Sequence, residues 1–423
     1  MPIAVSRYNL LERGFREALA LTEPERFQYR AEGGAYLDLR RLALEPLPEI
    51  DEDRIARLCR IVRGLLFAAV DAAQSGHPGG SSSKAEQALT LLLSGALGFD
   101  PLDPKNPGRD RIVWSAGHCS PLFHSLLALI YGSLRERGQS LLPDKAGMAV
   151  LPEHLARFRR WGGPSGHVES EYALADTSTG SSGHGFSAGL GFALLHRSCG
   201  LATRAFVIAG DAETEEGMTY EARNLAANLG VRNLVVSLDY NTYGIDGSIF
   251  EAMPGPYQNH WFAHGWNVIE VDGHDVRELA YAYRLAVEGL GPDRPTVVIA
   301  HTTKGIHYGK LENTADSHGM PLSHDEYVAA MRKIGFDIPG NPAGDIAAVM
   351  QALDPADRDY LLARLDAAAR RIPDESALVD RMDTMLYGRH IRDYRAIERP
   401  DPLPPELVFS EGTSVATRKA TEA

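Results

Sequence analysis

Four short runs rich in β-branched residues constrain this chain most: AFVIAG (205–210), NLVVSL (233–238), NVIEV (267–271) and TVVIA (296–300). Turn residues bound each run, and segments with helical spacing separate them, including 218–229 and about 275–289. Strand, helix and strand in this rhythm predict an α/β fold, a parallel sheet with helices on both faces. Ligands of such sheets sit beyond the carboxyl ends of the strands. The loops after Ala209, Leu238 and Ala300 are therefore where chemistry is expected.

The 423 residues suggest two domains, or one large domain with appendages. Residues 1–50 read as an N-terminal extension, with an amphipathic piece around Tyr8 to Leu21 and then a charged, proline-punctuated stretch. The main domain is expected over 51–323. It opens with a helix from Asp53 to about Gln74, broken by SGHPGG (75–80), and continues with helices at about Lys84 to Leu97 and Pro121 to Tyr131. Residues 324–405 read as short charged helices followed by a proline-rich linker.

A formal charge of −13 argues against a nucleic-acid-binding face. Any phosphate site must then be built locally, from backbone amides, histidines or a metal. Cys59, Cys119 and Cys199 form no CxxC pair, so a disulfide framework or zinc site is not expected and a reducing compartment is. The N-terminus resembles neither a signal nor a transit peptide, and no apolar run approaches the ~18 residues needed to span a bilayer. The expected location is cytoplasmic, with no membrane partner.

The most informative segment is GDAETEEGMTYEARNLAANLGVRNLVVSLDYNTYGIDG, residues 210–247. One strand delivers Asp211 at its end and the next delivers Asn241, 30 positions later. Two oxygen ligands at adjacent strand tips can share a hard cation such as magnesium, with diphosphate oxygens completing the octahedron. On these residues alone, Asp211 capping the following helix and Asn241 making a turn remain the alternative. Glu213 and Glu215 read as the solvated first turn of that helix. His77, His118, His167 and His318 each lie beside glycine in a loop, where a neutral imidazole can donate to a phosphate or hydroxyl and relay a proton. GSSGHG (180–185) is not GxGxxG, and GIHYGKL has the wrong spacing for a P-loop, so nicotinamide and nucleoside-triphosphate sites are poor fits.

Residues 210–247 resemble the thiamine-diphosphate motif of the transketolase family, which opens Gly-Asp-Gly and closes about 30 residues later with Asn. SGHPGG (75–80), SAGHCSPLFHSLLALIYG (115–132), GPSGHVE (163–169), DTSTGSSGHG (176–185) and HTTKGIHYGKLENTADSHGMPLS (301–323) resemble further segments of that family, in order, over about residues 55–325. The resemblance implies the diphosphate-binding domain of the thiamine-diphosphate fold. It implies Asp211 and Asn241 as side-chain magnesium ligands (calcium or manganese can replace magnesium) and Tyr243 as a backbone-carbonyl ligand. It implies Gly180, Ser182, Gly210, Ala212 and Glu216 in the cofactor site, with His118 and His318 at both cofactor and substrate. His77, His118 and His318 would line the reactive ring and the donor hydroxyls, and His167 would contact substrate. The sequence departs from the motif at Ala212, where the family has glycine, and at His184, where it has glutamine. His124, His184, His196, His301 and His307 carry no assigned role.

The implied reaction is transfer of a two-carbon ketol unit from a ketose phosphate to an aldose phosphate. The glutamate that activates the cofactor belongs to a pyrimidine-binding domain whose opening resembles ATRKA, as at Ala416–Ala420, so residues 406–423 read as the start of that domain. The rest would come from another chain or from a longer polypeptide, and a stop midway through a helix-forming motif favours the second. A homodimer or heterotetramer is expected. Two alternatives stand beside this: a 2-oxo acid decarboxylating component resembling that of pyruvate dehydrogenase, and a catalytically silent partner subunit.

Overall fold

The computed structural model describes residues 7–29, 33–253, 255–291 and 293–374. Apart from Cys199–Leu201, the described residues belong to one compact unit. Its centre is a seven-stranded sheet: β1 (Phe27–Tyr29), β2 (Ala35–Asp38), β3 (Arg111–Trp114), β4 (Ala205–Gly210), β5 (Leu234–Tyr240), β6 (Asn267–Asp272) and β7 (Thr296–His301). The spatial order is β1-β2-β6-β7-β5-β4-β3. All neighbours run parallel except the β1–β2 pair. The four runs read from sequence are β4 to β7, and every one is buried for nearly its whole length. Strands covered on both faces need apolar residues at every position, which is why they stand out.

Three strands were not anticipated. β3 is RIVW, four residues that follow the charged pair Arg109-Asp110. β2 alternates buried and half-buried positions, and β1 is a three-residue edge strand. Both lie within residues 1–50, so part of that stretch enters the sheet, with Leu37 opposite Ile269 of β6. Leu37 is fully buried in the main core. Leu37→Ala is expected to cost about 2–5 kcal/mol in chemical denaturation. A change within about 0.5 kcal/mol would mean that this stretch is a detachable appendage.

The long helix Glu52–Ala73 starts where Asp51 accepts from the Arg54 amide and stops at Gln74 in a left-handed conformation. The helix expected at 84–97 is the shorter Ala85–Leu93, and a further short helix, Pro78–Ser83, begins within the SGHPGG stretch read as a break; both are buried throughout. Gly217–Asn228 and Val276–Glu288 match the expected helices to within a residue, and Ser120–Glu136 starts where expected but runs five residues past Tyr131. Beyond residue 323, helices His324–Lys333, Pro342–Gln351 and Pro355–Ala369 pack against the Glu52–Ala73 helix in the same unit. The proline-rich connector and residues 406–423 lie outside the described residues. Among the described residues no helix is long and apolar enough to cross a membrane, and all three cysteines are buried and free.

Candidate active site

Four adjacent strands deliver residues to one end of the sheet: Ser115–Cys119 follows β3, Asp211 follows β4, Asn241–Tyr243 follows β5 and Thr302–Lys304 follows β7. The Asp211 carboxylate accepts the Thr242 amide (2.6 Å) and the Ala212 amide (2.8 Å), which places it against the 241–243 turn. Thr242 is left-handed (φ 69°), an uncommon state for a β-branched residue, and it turns the chain sharply between the two candidate ligands. Asn241 donates its amide to Asp239 (2.8 Å), which orients its carbonyl oxygen towards the Tyr243 amide (3.1 Å). The Lys304 ammonium rests on the Tyr243 and Gly244 carbonyls (2.9 and 2.6 Å). One carboxylate, one amide oxygen and one carbonyl form an all-oxygen set suited to a hard cation. Burial, with the nearby Asp239 charge, pushes the Asp211 carboxyl up to about 7.

Beneath this turn lies a buried ion pair, Lys84 to Asp239 at 2.8 Å. Ser83, Thr302, Gln87 and Asn241 donate to the same carboxylate. Burial alone would raise the Asp239 carboxyl, yet the Lys84 ammonium and the Thr302 and Ser83 hydroxyls hold it below the ordinary carboxylate range. Lys84 is correspondingly raised: burial opposes its charge, and the Asp239 charge overrides that. Burial drops Lys304 to about 8.

Glu213 was expected to be solvated, and the structure corrects that. Glu215 is exposed, whereas Glu213 is buried and accepts from Gly210 N–H (2.8 Å), Gly183 N–H (3.2 Å) and the Ser115 hydroxyl. It ties together the loops after β3 and β4 and the 176–185 loop. The neighbouring Glu216 is exposed.

The four glycine-flanked histidines converge. His77 lies 5.2 Å from His118, 5.3 Å from His318 and 6.0 Å from His167 between ring centroids, and His118 stacks on His318 at 4.9 Å. Close backbone approach makes this possible. A Cβ on Gly79 would lie 2.7 Å from the Ser317 carbonyl oxygen, and one on Gly117 would lie 2.7 Å from that of Thr179. Gly305 N–H also donates to the Gly79 carbonyl (3.0 Å), and Val168 N–H donates to that of Gly117 (3.1 Å).

Burial, reinforced by Arg159, His167 and Lys304, lowers His77 to about 4. Burial and then Lys304 lower His318 to about 3, burial and His318 hold His118 well below its ordinary value, and burial lowers His167. All four are neutral at pH 7. A base depressed in the fold takes up protons on unfolding, so these groups withdraw stability as pH falls below about 6.5. The His77 and His318 ring signals in NMR are expected to stay constant from about pH 8 to about pH 5.5. Titration of either with a midpoint near about 6.5 would contradict the buried, neutral cluster.

Of the other residues singled out in the sequence, Gly210 is half-buried at the end of β4, and Gly180 and Ser182 are exposed on the 176–185 loop. A Cβ on Gly180 would lie 3.9 Å from the His167 ring. Ala212 opens the short turn Ala212–Glu215 without a left-handed φ, so the methyl group in place of the motif glycine carries no backbone strain. His124 is buried and bonds the Ser165 carbonyl, and His196 bonds Thr203.

Residues 55–381 match the family described as transketolase, thiamine diphosphate binding domain. The chain belongs to the transketolase family. It is 33% identical over 378 residues to transketolase 2 of Xanthobacter flavus, covering 85% of this chain and 51% of that protein. It is 32% identical over 275 residues to a 6-deoxy-6-sulfo-D-fructose transketolase subunit of Clostridium sp. (strain MSTE9), covering 65% of this chain and 94% of the subunit. Among solved structures, the transketolase of Leishmania mexicana superimposes with a TM-score of 0.64 at 25% identity, over 84% of this chain and 51% of that one. A Pichia stipitis transketolase mutant gives 0.62 at 28% identity, over 82% and 47%. The chain spans about half the length of most of the relatives it matches, whereas that clostridial subunit is matched almost end to end.

Proposed function

We propose that this chain supplies the diphosphate- and metal-binding half of a transketolase-type active site. The assembled enzyme transfers a two-carbon ketol unit from a ketose phosphate to an aldose phosphate. The observation that carries this reading is the convergence of four histidines at the strand end that also presents Asp211, Asn241 and Tyr243.

The residues present fit the implied cofactor and cation. The Tyr243 and Gly244 carbonyls already accept a cationic group, the Lys304 ammonium. The His77 Nδ1 atom is buried without a partner, so it has a hydrogen bond to offer a ligand. Asp211, Asn241 and the Tyr243 carbonyl would hold magnesium, and Gly210, Ala212 and the 180–182 loop would lie along the diphosphate. When bound, thiamine diphosphate supplies the carbon nucleophile and the electron sink. The protein's part is to bind, orient and move protons. His118 and His318 would face the reactive ring, and His77 would donate to or accept from the donor sugar's hydroxyls. His167 would contact the sugar at the mouth. Neutral rings suit this work, because each offers one donor and one acceptor nitrogen and passes a proton without first losing one. Glu216 is exposed and remains a candidate for contact across the site.

The other half of the site, with the glutamate that activates the cofactor, would come from a pyrimidine-binding domain on another chain or elsewhere on the same polypeptide. The near end-to-end match to a transketolase subunit supports a two-chain arrangement, which would assemble as a heterotetramer, whereas one longer polypeptide would form a homodimer. Free buried cysteines fit a reducing, cytoplasmic setting, and ketol transfer between sugar phosphates would place the enzyme in carbohydrate metabolism. The test is product analysis of the assembled enzyme with xylulose and ribose phosphates. Sedoheptulose phosphate is the expected product. Carbon dioxide released from a 2-oxo acid, with no heptulose formed, would overturn the reading.

A further inference from the structure

We infer that Arg159 is a specificity-determining residue that binds the terminal oxyanion of the sugar substrate, an inference that rests on the ketol-transfer reading. The proposed contact lies in the present chain, on the loop that precedes His167. Three arginines, Arg157, Arg159 and Arg160, follow one another closely on an exposed loop. Phe158, fully buried, anchors that loop. Some arginines elsewhere in the unit are matched by carboxylates, as in Arg109–Asp176, Arg63–Glu86 and Arg57–Asp357, and others, such as Arg197, Arg294 and Arg364, bond backbone carbonyls. Among the described residues, none of these three has a carboxylate within ion-pair distance. Arg157 is held by the Trp161 carbonyl and Arg160 by that of Ala73. The loop is thus a concentration of uncompensated positive charge on a chain of net charge −13.

Arg159 is the member aimed at the histidines. Its backbone is left-handed (φ 57°), a costly state for a residue with a side chain, and its N–H donates to the Pro164 carbonyl (2.8 Å). The guanidinium donates to the Ser75 hydroxyl (2.8 Å), two residues before His77. The side chain lies across Gly166, where a Cβ would come within 2.8 Å of its Nε, one residue before His167. Its charge is among the causes that lower both His77 and His167. A guanidinium clamped by one hydrogen bond to a hydroxyl keeps further N–H donors free at the mouth of the site. That is the chemistry of tetrahedral oxyanion recognition, phosphate or sulfonate, with forked charge-assisted hydrogen bonds. Water reaches this position, so the arginine needs no buried counter-charge while it waits for one.

The test compares wild type, Arg159→Gln and Arg159→Lys in the assembled enzyme. The donors are a ketose phosphate, the corresponding 6-sulfonate and a neutral ketose. Arg159→Gln is expected to raise KM for the oxyanion-bearing donor by about tenfold or more and to leave KM for the neutral ketose unchanged. Arg159→Lys should recover part of that loss, and inorganic phosphate should inhibit wild type competitively but not Arg159→Gln. Whichever anionic donor responds more identifies the group that is read. Equal KM changes for charged and neutral donors, or no change for either, would overturn the inference. Wild type turning over none of the three would overturn the ketol-transfer reading itself, and this inference with it.

Discussion

Lys84→Met is expected to destabilise the chain by about 3–5 kcal/mol in denaturant unfolding, because it strands the Asp239 carboxylate in the interior. Both partners are almost wholly buried, and their side chains meet at 2.8 Å. Ser83, Gln87, Asn241 and Thr302 would still donate to Asp239, but they are neutral and cannot balance its charge. A double variant, Lys84→Met with Asp239→Leu, removes both charges and should recover much of the stability. It should not recover cofactor binding, because Asn241 then loses the bond that orients its carbonyl oxygen. A single variant within about 1 kcal/mol of wild type would mean that the pair contributes little to the fold or that water reaches it.

Glu213→Ala is the second large effect. It leaves the Ser115 hydroxyl and the Gly183 and Gly210 amides without an acceptor. Buried donors left unpaired cost about 1–3 kcal/mol each, so a loss of about 3 kcal/mol or more is expected. The loops it ties carry His118, Gly180, Ser182 and Asp211, so cofactor affinity should fall alongside stability. Glu213→Gln should be milder, since its carbonyl oxygen can still accept while its amide meets donors. Unchanged stability in Glu213→Ala would show that the three loops hold their positions unaided.

What was legible in the sequence follows from how each residue is buried. β4 to β7 read clearly because strands covered on both faces are apolar throughout. β3 is too short, and β1 and β2 too edge-like, to separate from neighbouring turns. The histidines were visible because each sits beside a glycine, and a glycine in a loop marks close backbone approach. The charged residues that hold the site were not. Lys84 in SSSKAEQ and Glu213 in DAETEEG look like ordinary helix-start charges, and only their partners across the fold make them interior. Asp239 did leave a signal. It ends LVVSLD, a run whose preceding residues are all buried, and a carboxylate there must be met by a cation or by several hydrogen-bond donors. Arg159 left none beyond its place among three arginines, since its left-handed backbone is visible only in the fold.

The most direct test of the central claim is calorimetric titration of thiamine diphosphate into this chain, with magnesium and with EDTA, for wild type and Asp211→Ala. Half-site binding predicts stoichiometric uptake that requires magnesium and is lost in Asp211→Ala. Binding that persists in EDTA, or that survives Asp211→Ala unchanged, would contradict the assignment of Asp211, Asn241 and Tyr243 as the cation site.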